Sequence, residues 1–481
     1  MKKVKSVGRA HSRDWFRGID RTKEVMYLAI ADRLEEAIRT SQVKPGQLLP
    51  THRELAVALD INVGTVTRAY AEAKRRNLVG AGRRRGSHVL ARAQPAPYNP
   101  APRPVPPEPE TPVDGLIDLT TSRPTSDKYA RELGRTLGEL GGATGALEAL
   151  QGYYPSAGTP GHRASAAEWF RRGGLDADPG QVLVCNGAQH GLAAALLAVA
   201  KAGDLVLTEG LTYPGVKVLS SLLGLRLHGL PIDQDGLLPQ ALAAVCAAEQ
   251  PRVLICVPNL HNPTNAVLSA ERRREIAQIA AKHDLIVIED DVYGALLDQR
   301  LPPIALSAPE RTFVVTSLSK TIAPGLRVGF LMAPSRLVER ATAGIRGTTW
   351  MASPLTAEIA SRWIADGTAD RLVSAHREQL RSRQAMAAKA LAMYETVGHP
   401  NSGQLWLRLP PPWRSEEFYL QAHARGVVVM PAEAFAVGHV NTPHAVRLNL
   451  GAARDLEQLE RALQLLVGML MSRPEPAHLV A

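Results

Sequence analysis

The run Thr312-Phe-Val-Val-Thr-Ser-Leu-Ser-Lys320-Thr-Ile-Ala-Pro-Gly-Leu-Arg327-Val-Gly-Phe-Leu-Met332 decides how this chain is read. It opens apolar and β-rich from Phe313 to Val315, breaks at a Ser/Thr cluster, presents Lys320, passes a Pro-Gly turn and resumes apolar at Val328. A lysine bracketed by two strands of buried character needs a partner, because lysine is seldom buried alone. Ser317 can donate one hydrogen bond and Arg327 two in a fork, a set that suits a phosphate. A lysine beside a phosphate site suggests a Schiff base with pyridoxal phosphate (PLP). The plain alternative is a solvated lysine on a surface turn, and the upstream sequence decides between the two.

Upstream, short β-branched runs alternate with Ala/Leu-rich helical patterns such as 192–200 and 272–283. Val182-Leu-Val-Cys, Leu205-Val-Leu-Thr, Val253-Leu-Ile-Cys-Val and Leu285-Ile-Val-Ile are apolar throughout, which fits strands covered on both faces. The fold class is α/β, a doubly wound domain that binds ligands at the carboxyl ends of its strands. Polar residues follow each run. Gly187-Ala188-Gln189 opens a helix whose N–H groups could meet a phosphate. Tyr213, beside Pro214-Gly215, either covers a planar ring or is a core tyrosine near a turn. Asn262 precedes a proline that would position its amide, and His261 reads as structural. Glu289-Asp290-Asp291 is costly to bury without cations. A metal is one partner, and a protonated pyridine nitrogen opposite Asp290 is another, with Tyr293 reaching the ring's phenolic oxygen.

The remaining chain is organised by charge. Of 481 residues, 45% are hydrophobic and 21% charged, ordinary for a globular protein. Residues 1–92 hold 20 of the 56 Lys and Arg but only 9 of the 46 Asp and Glu, so the net charge of +10 lies in the first fifth. That asymmetry points to a nucleic acid for this part alone. Residues 1–23 read as a flexible basic arm. From Glu24 the spacing Tyr27, Ile30, Leu34, Ile38 predicts a helix. Thr51 and Glu54 form a capping box for a second helix, and Asn62 caps a third that faces Val66, Ala69 and Tyr70 inward. The result is a helix-turn-helix presenting Thr65, Thr67 and Arg68 to a major groove, followed by a hairpin with an Arg83-Arg-Arg-Gly86 tip. Residues 92–115 are a proline-rich, extended spacer. The scattered Cys185, Cys246 and Cys256 suggest neither disulfides nor zinc. No apolar run approaches a membrane span and no secretory signal is evident, so the expected location is cytoplasmic, with no membrane partner.

Residues 27–90 resemble the winged helix-turn-helix of GntR-type regulators, through Pro-Gly-(x)-Leu-Leu-Pro-Thr-(x)-Arg-Glu-Leu-Ala and Asn-Val-Gly-Thr-Val-Thr-Arg-Ala-Tyr. The resemblance implies DNA contacts from Arg53, Thr65, Thr67, Arg68 and Gly86. Residues 117–470 resemble fold-type I PLP aminotransferases, through Asn262-Pro-Thr, Asp290-(x)-(x)-Tyr293, Ser317-(x)-Ser-Lys320 and Arg327. Tyr213 and Gly187-Ala188-Gln189 fit the same template. Tyr153 takes a position that in the family reaches the phosphate of the partner subunit, and Arg447 one that holds the substrate α-carboxylate. Asn265, in place of the usual glycine, and Pro431-Ala-Glu433 depart from the pattern.

The whole chain resembles MocR/GabR-type regulators, with domains expected at 24–91 (GntR-type winged helix-turn-helix) and 116–475 (aminotransferase-like). The resemblance implies a transcription factor that holds PLP as an internal aldimine on Lys320 and forms a head-to-tail homodimer on a double-stranded operator with repeated half-sites. An amino-containing effector would act by aldimine exchange at Lys320. A working aminotransferase with an accessory DNA-binding head is the competing expectation. A constitutive DNA binder with a vestigial domain is a third.

Overall fold

The computed structural model describes residues 15–16, 26–39, 42–44, 47–75, 78–82, 86–89, 115–121, 124, 127–143, 145–438 and 442–472. Its backbone contacts divide the chain into two compact units, at Ala96 and Pro97.

The first unit holds three helices, α1 (Met26–Arg39), α2 (His52–Leu59) and α3 (Val63–Arg75), and an antiparallel hairpin of β1 (Val79–Gly82) and β2 (Gly86–Val89). The capping box starts α2: Thr51 Oγ1 accepts the Glu54 N–H at 3.2 Å, and Glu54 Oε2 accepts the Thr51 N–H at 2.9 Å. Asp60, in the left-handed region at φ 53°, ends that helix. Asn62 Oδ1 accepts the Gly64 N–H at 2.7 Å and opens α3. Ile30, Leu34, Leu55, Val66, Ala69 and Tyr70 form the core. The arm expected over residues 1–23 is corrected in one place. Trp15 is buried to 4% exposure in that core, because an indole brings too much apolar surface to stay in water. The rest of the arm, the 83–85 tip and the spacer up to residue 114 lie outside the described residues.

The second unit begins with β3 (Ile117–Asp118) and continues through β4 (Val182–Cys185), β5 (Leu205–Glu209), β6 (Arg226–Leu230) and a small hairpin, β7 (Ile232–Asp233) and β8 (Gly236–Leu237). Then come β9 (Val253–Cys256), β10 (Ile286–Asp290), β11 (Thr312–Ser317) and β12 (Gly329–Met332). A seven-stranded sheet has the order β4-β12-β11-β10-β9-β5-β6. Its neighbours are parallel except β12, which runs antiparallel to β11 and β4. Every residue of β4, β5, β9, β10 and β11 is buried, as continuous apolar runs require of a sheet packed on both faces. The edge strand β6 was not among the expected strands. Its Arg226, His228 and Gly229 break the apolar run, as a half-covered edge permits.

A 23-residue helix, Thr368–Ala390, leads into the C-terminal part. There β13 (Thr396–Gly398), β14 (Gln404–Arg408), β16 (Met430–Pro431) and β17 (Ala445–Asn449) form an antiparallel sheet, and β15 (Val427–Val428) pairs with β3. Leu405, Leu407, Val446, Leu448 and the helix Leu456–Met471 close a separate core. The carboxyl ends of β9, β10 and β11 and the strand β17 thus supply the residues that follow.

Candidate functional site

Lys320 stands in the turn that joins β11 to β12, half-buried. That turn is tied by Ser317, whose Oγ donates to the Val328 carbonyl at 3.1 Å and accepts the Ser319 N–H at 2.9 Å. Ser317, expected to donate to a phosphate, here spends its proton on the backbone. Ser319 Oγ and Thr321 Oγ1, on either side of Lys320, are buried hydroxyls left without a partner. Arg327 is left-handed at φ 51° and folds back, NH2 donating to the Asn186 carbonyl at 3.3 Å and NH1 to Pro324 at 3.4 Å. Beneath it lies Gly187 at φ 85°, where an added Cβ would fall 2.8 Å from Arg327 NH2. No side chain caps the helix Ala188–Val199 that starts there, so its first N–H groups face the arginine side unblocked. Gly329 allows β12 to pass this helix start, since a Cβ would sit 2.6 Å from the Gly187 carbonyl carbon. Gln189 Nε2 donates to the Gly215 carbonyl at 3.1 Å and leaves Oε1 buried and unpartnered. Tyr213 packs over Gly215, where a Cβ would fall 2.2 Å from Tyr213 Cε1.

The three acids at the end of β10 meet different fates. Glu289 accepts the N–H groups of Ile304 and Ala305, both at 3.2 Å, and Arg273 NH1 stands 3.9 Å away. Asp291 Oδ1 accepts Asn259 Nδ2 at 2.6 Å. Asp290 Oδ1 is buried with no partner. Burial pushes Asp290 up to about 7, the charges of Asp291 and Glu209 add to the rise, and Lys320 opposes it. Lys320 and Asp290 therefore lie within electrostatic reach of one another. Tyr293 is buried nearby, and burial raises its hydroxyl while Arg447 opposes.

Arg447, on β17, is buried to 6% exposure. Its NH1 donates to Asn262 Oδ1 at 3.0 Å, its NH2 donates to the Thr120 carbonyl, and its guanidinium lies 5.0 Å from the centre of the Phe435 ring. Nε has no partner. Burial pulls its pKa down, and Tyr293, Tyr213 and Asp118 push the other way. Asn262, Tyr293, Tyr213 and Arg447 are thereby gathered from segments far apart in sequence. His261 is fully enclosed, with Nδ1 2.8 Å from Thr264 Oγ1, in keeping with a structural role. Asn265, the departure from the usual glycine, sits at φ 62°. Its Nδ2 donates to the carbonyls of Val397 (3.1 Å) and Gln404 (3.0 Å), and Ser402 Oγ donates to its Oδ1 at 2.6 Å. The side chain thus ties the loop after β9 to β13 and β14. Tyr153 stands apart. It is 85% exposed, and its ring contact is Trp350, edge-on at 5.9 Å.

In the first unit, Arg53 and Arg68 are exposed, Thr65 is half-buried and Gly86 pairs with Gly82 across the hairpin. Thr67 is exposed, but its hydroxyl donates to the Val63 carbonyl at 3.0 Å and lies 3.2 Å from His52 Nδ1. Sequence reasoning missed Thr120 and Phe435, which no local signal places beside Arg447.

Residues 116–466 match the model of the aminotransferase class I and II family. The chain belongs to that family. Residues 26–89 match the bacterial regulatory proteins of the gntR family, which makes the first unit a DNA-binding domain. An aminotransferase domain behind a gntR head is the MocR-type arrangement. The chain is 31% identical to the HTH-type transcriptional regulator YdeF of Bacillus subtilis over 94% of this chain and 96% of that one. It is 30% identical to TauR of Rhodobacter capsulatus, over 55% of each. Among solved structures, an archaeal alanine:glyoxylate aminotransferase shares the fold at TM-score 0.68 and 22% identity, over 74% of this chain and 91% of that one. LysN of Thermus thermophilus, solved with N-(5'-phosphopyridoxyl)-L-leucine, does so at TM-score 0.63 and 25% identity, over 74% and 94%. The cofactor of this family is PLP, and the residues here fit it. A carboxylate oxygen without a partner suits a pyridinium N–H. An uncapped helix start, a folded-back arginine and a spare serine hydroxyl suit a phosphate.

Proposed function

We propose that this MocR-type transcriptional regulator senses a small amine that carries a carboxylate, by letting that amine take the place of Lys320 on PLP. The observation that carries the reading is Arg447, buried, held by Asn262 and left with an unpartnered Nε in the company of Tyr293 and Tyr213. A buried arginine with donor capacity to spare suits a carboxylate. When bound, PLP supplies an electrophilic carbon for amines and a ring that accepts electrons. Lys320 supplies the resident amine. Asp290 keeps the proton on the pyridine nitrogen, and its raised pKa in isolation falls once a cation faces it. Arg327, Ser317, Ser319 and the N–H groups of Ala188 and Gln189 would hold the phosphate, with Ser317 also shaping the turn. Tyr213 would lie against the ring, and Tyr293 would face its phenolic oxygen.

The exposed Tyr153 supports a head-to-tail homodimer in which it reaches the partner's phosphate site. On the DNA side, Arg53, Thr65, Thr67, Arg68 and Gly86 contact an operator of repeated half-sites, with the spacer setting the reach between domains. The effector acts only through different affinities for two arrangements of the dimer. The setting is the cytoplasm, where DNA is. Among the described residues no helix is long and apolar enough to cross a membrane.

A panel of amino compounds added to the purified holoprotein tests this, with the absorption spectrum and operator affinity read together. One carboxylate-bearing amine should shift both, and Lys320→Ala should abolish the shift while keeping basal DNA binding. Sustained turnover of amino donors with 2-oxo acids, at roughly 1 per second or more, would replace the sensor with a working aminotransferase. The joint presence of Lys320, Asp290 and Arg447 keeps that second reading in play.

A further inference from the structure

A cavity of about 660 Å³ opens in the second unit and shares no lining residue with the PLP site. Arg172, Arg300 and Arg377 line it together with Leu297, Leu301 and Leu306. Its two acids are already committed. Asp370 accepts Arg172 NH1 at 2.7 Å, and both oxygens of Asp298 accept Arg381 NH2 at 2.8 Å. Arg300 makes no hydrogen bond or ion pair among the described residues. Its guanidinium packs over Gly173, where a Cβ would fall 2.5 Å from NH1. Arg377 donates through NH2 to the carbonyls of Ala295 and Leu297 and its NH1 stands 3.6 Å from Asp298 Oδ1, yet its Nε is buried and unpartnered. Burial works against the charge of Arg300, Asp291 and Asp370 support it, and Arg377 opposes it. A half-buried arginine that makes no hydrogen bond, beside a second one that keeps a buried Nε unpaired and with leucines next to both, suits an anion that brings its own apolar body.

We propose that this cavity is a second ligand site, one that takes a small organic anion with a carboxylate or phosphate held by Arg300 and Arg377 and an apolar body against the leucines. Arg300 lies within electrostatic reach of Asp291, the neighbour of Asp290.

Phenyl phosphate and benzoate are the probes, titrated by calorimetry at constant ionic strength into holoprotein whose cofactor has been fixed by borohydride, so that the first phosphate site stays filled. Saturable binding to the wild type is expected, weakened at least about tenfold in Arg300→Gln. Leu306 is 51% exposed at the rim, so Leu306→Glu keeps the fold and should weaken binding by like-charge repulsion even where Arg300→Gln does not fold. Tighter phenyl phosphate assigns the site to phosphate esters, and tighter benzoate to carboxylates. Absence of saturable binding to the wild type, or equal binding to wild type and Leu306→Glu, overturns the proposal.

Discussion

Asp290→Asn should stabilise the cofactor-free protein at neutral to alkaline pH while loosening its hold on PLP. Asp290 is 3% exposed, its Oδ1 has no partner, and burial lifts its pKa from 3.8 to about 7. The folded value lies above the unfolded one, so the unfolded chain releases the proton first. The stability this group contributes is full below its unfolded pKa and is lost as pH rises through the folded value. A rise of about 3 units at ~1.4 kcal/mol each makes the full cost of the charge ~4 kcal/mol. About 2–3 kcal/mol of that falls between about pH 5 and about pH 8. Asparagine keeps the shape and never ionises. Glu289 and Asp291 are common to both proteins, so their share cancels to first order. Urea unfolding of the two apoproteins at those two pH values measures the difference. The wild type should lose about 2–3 kcal/mol more than the variant on going up in pH, and added PLP should shrink the gap, because a pyridinium then faces Asp290. Parallel pH profiles for the two apoproteins would refute the reasoning, and Asp290 would have to be carrying a cation already.

Three further outcomes are expected. Gly187→Ala puts a Cβ 2.8 Å from Arg327 NH2 at φ 85°, so strain of about 1–3 kcal/mol and a displaced arginine should weaken PLP binding about tenfold or more, read from cofactor dissociation. Thr51→Ala removes one half of the capping box and should cost the first unit about 1 kcal/mol in thermal or urea unfolding, with little effect on the PLP spectrum. Arg68→Ala should weaken operator binding and flatten its salt dependence without moving the spectrum. An unchanged operator affinity removes Arg68 from the interface.

Legibility in the sequence followed burial. Strands β4, β5, β9, β10 and β11 could be read because a strand covered on both faces has to be apolar throughout. The edge strand β6 and the short strand β13 carry no such run, and the helix Thr368–Ala390 mixes charged and apolar residues too evenly to stand out. The start of α2 could be read because both partners of a capping box lie within one turn. Arg447 is the opposite case. Nothing local in Ala445–Asn449 says that it meets Asn262, 185 positions earlier, and only the family resemblance pointed there. Spacing alone does not tell which hydroxyl the turn engages, and here it engages that of Ser317.

Asn265 and Asp290 show two ways a local rule can be broken. A left-handed φ of 62° favours glycine, and asparagine there is strained by a modest amount. Three side-chain hydrogen bonds, each worth about 1 kcal/mol, more than offset it and join the loop after β9 to the C-terminal sheet. That departure is compensated within the chain. Asp290 is not, although Glu289 and Asp291 on either side are fully satisfied. Careless packing would not spare the two neighbours and strand the residue between them. Unpartnered buried atoms occur elsewhere too, Trp413 Nε1 and His376 Nδ1 among them, but Asp290 Oδ1, Ser319 Oγ, Gln189 Oε1 and Arg447 Nε come from four separate segments of the candidate site, and each unmet group costs about 1–3 kcal/mol. A fold that accepts such a cost at residues matching one cofactor template has its compensation in the ligand, and that is why the site is better tested by the pH dependence of the apoprotein than by the structure of the holoprotein.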